Sequence, residues 1–122
     1  MENQAPIRFV SEPFRGTMTK QDAQFARMWR GRVAREKADA YQAYWLAQGV
    51  EPLKALGATE VYMMRDDGVS ESEFVTVSYW RSLAGMTGRR GGDPVLAHHL
   101  PRDSEFLIDL PERVQILRIL AS

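Results

Sequence analysis

An α+β domain of the ferredoxin-like kind is predicted for this chain: the order β-α-β-β-α-β, a four-stranded antiparallel sheet, and helices on one face. Three observations predict it. A run at helical spacing, residues 36–48, lies between two runs with strand character, residues 26–33 and 59–65. A further β-rich run, residues 73–80, follows residues 59–65 after Asp66-Asp67-Gly68, a hairpin turn signal. A weaker helical stretch then divides that hairpin from a last β-rich run at residues 113–120.

Residues 1–24 mix polar residues with Pro6 and Pro13 and read as an N-terminal arm, loosely held or packed on a partner subunit; residues 25–122 make the folded domain. In strand one, alternation puts Met28, Arg30 and Arg32 on one face and Trp29, Gly31 and Val33 on the other. In the first helix Ala38, Tyr41, Trp45 and Gln48 share a face, and Gly49 ends it as a left-handed cap would. Pro52 suits a first helical position, so residues 52–56 form a short turn closed by Gly57. Ser82 caps a helix through Leu83, Ala84 and Met86, which is broken at Gly88-Arg-Arg-Gly-Gly92. Asp93 and Pro94 read as an N-cap and first-turn pair that restarts a helix to about Leu100. Residues 103–107 form another short turn.

The strands are apolar on both faces. Val75, Val77 and Tyr79 oppose Phe74 and Trp80, Val61 and Met63 oppose Tyr62 and Met64, and Val114, Ile116 and Leu120 oppose Leu117 and Ile119. An antiparallel sheet with one wetted face alternates apolar with polar residues. Its helix-free face therefore needs a cover. The simplest is the same face of a second copy, giving a homodimeric α/β barrel; the N-terminal arm is the alternative.

Composition excludes several classes. Sixteen basic and sixteen acidic residues leave no net charge, so no field recruits nucleic acid or a membrane surface. No apolar run approaches the ~18 residues of a bilayer span, and the polar N-terminus lacks the apolar core of a signal peptide. There is no cysteine, which removes disulfides, thiolate ligands and thiol nucleophiles. A cytoplasmic protein is expected. No metal site is expected either, because two adjacent histidines without a spaced third ligand do not make one.

Some residues remain that carry chemistry. Trp80 shares its strand face with Thr76 and Ser78, two small residues beside a large one, which leaves room above the sheet for a flat ligand. The plainer reading makes Trp80 a core aromatic with its N–H satisfied. His98 and His99 sit adjacent in the expected second helix, about 100° apart, so only one can face such a pocket. Arg30, in mid-strand, can bind an oxyanion if its face looks inward, or pair with a surface carboxylate if it does not. Tyr41, Tyr44 and Trp45 form an aromatic stripe, of which Tyr41 can offer a hydroxyl.

The strand ending Trp80-Arg81-Ser82, followed by Gly-Asp93-Pro94-x-x-Ala, resembles the antibiotic biosynthesis monooxygenase family of dimeric α+β barrels, over roughly residues 26–120. The resemblance implies an oxidoreductase, a small monooxygenase acting on an aromatic or polyketide-like substrate without metal or organic cofactor. In that scheme Trp80, Thr76, Ser78, Tyr41 and Trp45 bind the ring, Arg30 steadies the anion, and His98 or His99 is the base. A second reading, also implied by the resemblance, is haem binding or degradation with one of these histidines as axial ligand. Both kinds of relative use an asparagine on strand one, where this chain has Met28-Trp-Arg30-Gly-Arg32; its only asparagine is Asn3. The third reading is a non-catalytic dimer that binds a small ligand.

Overall fold

A computed structural model describes residues 23–87 and 92–121. Most of the expected arm and most of the Gly88–Gly92 loop lie outside the described residues. The elements are β1 (Phe25–Ala34), α1 (Ala38–Gln48), α2 (Val50–Leu56), β2 (Glu60–Asp67), β3 (Glu71–Trp80), α3 (Ala84–Thr87), α4 (Asp103–Phe106) and β4 (Gln115–Arg118). The strands form one sheet in the order β2-β3-β1-β4. Every neighbouring pair is antiparallel, so the arrangement is α+β and compatible with the ferredoxin-like order.

Register assigns the two faces. Phe25, Arg27, Trp29, Gly31 and Val33 stand opposite Trp80, Ser78, Thr76, Phe74 and Ser72, and these residues look toward the helices. On α1 the buried residues are Ala38, Tyr41 and Trp45, the helical spacing expected of its apolar stripe. They meet Trp29, Val33, Phe74, Leu107 and Val114 in the main core. Trp45 crosses Phe74 edge-to-face at 5.3 Å and stacks with Tyr41 at 6.1 Å, geometries that aromatic pairs favour.

Four local differences from expectation have physical causes. First, α1 starts at Ala38, because Arg35–Lys37 wind into a tighter 3₁₀ turn first. Second, Gly49 is right-handed, with φ −92°, and not a left-handed cap. What it needs is the lack of a side chain, since a Cβ there would lie 2.8 Å from the Trp45 carbonyl oxygen. Third, α2 begins at Val50, ahead of Pro52, and does end at a left-handed Gly57, φ 122°. There the N–H groups of Gly57 and Ala58 return to the carbonyls of Lys54 and Leu53, a paired cap that only a residue free of Cβ strain accepts readily.

Fourth, the expected helix carrying His98 and His99 does not form. Asp93 Oδ1 does accept the Val95 N–H at 3.0 Å, as a cap would, but that closes only a turn. The chain beyond it stays non-helical, because its backbone pairs with the approach to β4 through a Leu96–Arg113 bridge. Ala97 N–H donates to Glu112 O, and Val114 N–H donates to Val95 O. The return connection from β3 to β4 thus holds only two one-turn helices among the described residues.

On the helix-free face stand Met28, Arg30, Arg32, Glu73, Val75, Val77, Met64 and Leu117. Met64 and Leu117 are nearly half exposed, at 49% and 43%. Just before β1, Ala23 is buried, and Gln24 donates its N–H to Trp80 O while its carbonyl accepts from Ile119 N–H. No helix among the described residues is long and apolar enough to cross a membrane.

Candidate functional site

The small residue that opens a space is Thr76, flanked on its strand face by Phe74 and Ser78 and facing Trp29 across the ladder. Above it lies a cavity of about 190 Å³. The sheet contributes Arg27, Trp29 and Thr76 to its wall, and the first crossover contributes Trp45 with Pro52, Leu53 and Leu56. The return connection closes it with His98, His99, Leu100 and Asp103. Four chain segments distant in sequence thus meet at one hollow.

Trp29 is set by its neighbour two residues on. A Cβ at Gly31 would collide with the Trp29 ring and come within 3.0 Å of Leu107, so glycine is what lets the indole lie along the sheet. Trp29 and Trp45 then face each other at 5.9 Å, tilted by 40°. The Trp29 Nε1–H is buried without a hydrogen-bond partner.

Asp103 joins the two connections. Its carboxylate is buried at the start of α4, where Oδ1 accepts the Tyr41 hydroxyl at 3.1 Å and Oδ2 accepts the Leu100 N–H at 2.8 Å. Burial, and after it the Asp103 carboxylate, drives the Tyr41 pKa far above the ordinary phenol value, so this hydroxyl stays protonated and donates. His99 Nδ1 stands 3.9 Å from Asp103 Oδ2, within range of charge attraction but too long for a hydrogen bond. Its side chain is 30% exposed, which leaves the imidazole open to the cavity mouth. An imidazole with a buried carboxylate 3.9 Å away places a group capable of proton transfer beside the cavity.

The structure brings together Thr76, Trp45, His98 and His99 from the residues expected at a site. Others stand elsewhere. Trp80 is fully buried with Ala58 and Met86, and its Nε1–H donates to Ser78 Oγ at 2.8 Å. The indole fills the room that Ser78 leaves, so this pair is core and does not line the cavity. Tyr41 acts behind the wall through Asp103. Arg30 is exposed on the opposite sheet face, where it lies 3.6 Å from Glu73 and 3.1 Å from Met28 Sδ.

Arg27 and Asp103 are cavity residues that sequence reasoning passed over. Arg27 had a visible signal: it continues the Trp29, Gly31, Val33 alternation and puts a guanidinium on an otherwise apolar face. Asp103 had none beyond its place at the start of a short turn. Among the described residues no group of three or more His, Cys, Asp or Glu side chains is placed to hold a metal ion. No family model and no curated protein matches this chain.

Proposed function

We propose that this domain binds a small planar molecule in the hollow between sheet and connections and acts on it by proton transfer at His99. The observation that carries the reading is that hollow itself: about 190 Å³, walled by two tryptophans, with the Asp103–His99 pair at its mouth. Its size suits a single-ring guest, since a cavity of roughly 150 Å³ holds benzene, and drug-sized ligands fill roughly 300–1,000 Å³. The reaction the resemblance suggests is cofactor-independent oxygenation. His99 takes a proton from an activated methylene, and the resulting carbanion reduces dioxygen. One oxygen atom becomes the new carbonyl, and the other leaves as water with the two methylene hydrogens.

Dioxygen uptake with single-ring substrates that carry an activated methylene tests this. The wild type consumes dioxygen in proportion to substrate, and His99→Ala loses most of the rate while His98→Ala retains it. Equal rates in wild type and His99→Ala remove the role. For haem, the cavity is far smaller than a tetrapyrrole, which weighs against that reading. A haem titration that raises a sharp Soret band, lost in His98→Ala or His99→Ala, would favour it instead.

The molecule works as a homodimer in this reading, with the helix-free sheet face against its own copy. Met64, Val75, Val77, Met28 and Leu117 spread apolar side chains across that face, and Arg30 and Glu73 place opposite charges among them, which a two-fold axis can cross-pair. Sedimentation equilibrium should give a dimer for the wild type and a monomer for Met64→Glu combined with Leu117→Glu. A monomeric wild type contradicts the arrangement.

A further inference from the structure

We infer that the cavity takes a small aromatic carboxylate, with the Arg27 guanidinium as its counter-charge and the Trp29 indole N–H as a second donor. This rests on the reading of the hollow as a small-ligand site and adds the chemical class of the ligand. Arg27 lies on an interior strand, opposite Ser78 on one side and Ile116 on the other, and is only 5% exposed. One nitrogen donates to Leu96 O at a long 3.4 Å, and Nε has no partner at all.

Six other arginines among the described residues differ from it. Arg30, Arg32, Arg35, Arg65, Arg102 and Arg113 each stand within 4 Å of a carboxylate oxygen. Arg27, the buried one, has no such partner among the described residues, and burial accordingly lowers its pKa. A buried cation without an anion is costly, and proteins otherwise pair or remove it. The other charge in the wall is already committed, because Asp103 accepts from Tyr41 and Leu100 and faces His99.

Arg27 and Trp29, each with a buried donor that lacks a partner, therefore both line one cavity that is otherwise mostly apolar. A ring-sized body with one oxyanion matches both features. The ring lies against Trp29 and Trp45, and the carboxylate meets the guanidinium, whose planar fork suits two oxygens at once.

Isothermal titration with benzoate, and with benzamide as its neutral isostere, tests the inference. Charge-assisted hydrogen bonds are worth roughly ten- to a hundredfold in affinity, so the wild type should prefer benzoate by about that factor. Arg27→Met, which replaces an unpaired buried cation by an apolar chain, should keep its melting temperature and lose the preference. Trp29→Phe should weaken benzoate by a smaller factor. If benzamide binds the wild type as well as benzoate does, the carboxylate assignment is overturned and the small-ligand reading survives. If neither binds, the small-ligand reading falls, and this inference with it.

Discussion

The two connections that cross the sheet are built on opposite principles. The first, from β1 to β2, is nearly all helix, and its buried residues Ala38, Tyr41 and Trp45 recur at helical spacing. The second, from β3 to β4, is mostly irregular among the described residues, with two single turns, α3 and α4. The regular connection supplies apolar wall and core. The irregular one supplies the ionisable groups His98, His99 and Asp103 to the cavity wall. Regular packing and the histidines of the cavity wall are thus divided between the two connections.

That division is broken most severely at Trp45. Trp45→Ala removes an indole 5% exposed and packed on Trp29, Tyr41 and Phe74, and should cost about 3–5 kcal/mol in urea unfolding. Asp103→Ala comes next, since it is the link between the connections. It leaves the Tyr41 hydroxyl and the Leu100 N–H without acceptors, at about 1–3 kcal/mol for each buried donor, and should also free the 98–100 segment to faster amide exchange. A Trp45→Ala protein as stable as the wild type would erase the contrast.

His99→Gln sharpens the same comparison from the other side. A part-exposed side chain with no hydrogen bond to lose should change stability by no more than about 0.5 kcal/mol. Ligand turnover should nonetheless fall. A large loss of stability would mean that the second connection is structural as well.

The smallest effect is expected at the hairpin tip, far from both connections. Asp67 accepts from Ser72 Oγ and from Arg65 Nε, and these bonds, with Arg35 nearby, hold its carboxyl below the ordinary carboxylate range. A carboxyl whose folded pKa lies below its unfolded one adds stability at pH values above the unfolded value. That contribution disappears as pH falls through the folded value. Amide exchange at the β2–β3 tip should therefore quicken only below the ordinary carboxylate range, and Asp67→Asn should show the quickened exchange at neutral pH. An unchanged tip in Asp67→Asn would leave the Asp67 bonds without structural effect.

The strands were legible because alternation survives into register: Trp29, Gly31 and Val33 do face the helices, as do Phe74 and Trp80. The first helix was legible for the same reason, since its apolar period matches its buried stripe. The second connection was not. Asp93 and Pro94 carry a genuine local start signal, but long-range backbone pairing with Glu112 and Val114 takes the N–H and C=O groups a helix would have used. Trp80 was half legible. Small neighbours did mark a gap, yet the hollow opened over Thr76, while the Trp80 indole filled the room over Ser78. Which of several small residues stays uncovered depends on crossing helices, and that is tertiary information.

The chain has three tryptophans, and the structure puts two of them in the cavity wall and one in the core away from it. Their indole N–H resonances, followed by ¹H–¹⁵N NMR during titration with benzoate, therefore test the central claim most directly. Trp29 and Trp45 should shift together and saturate while Trp80 stays in place. Indoles of Trp29 and Trp45 that do not move, or a Trp80 signal that moves with them, would contradict the placement of the site.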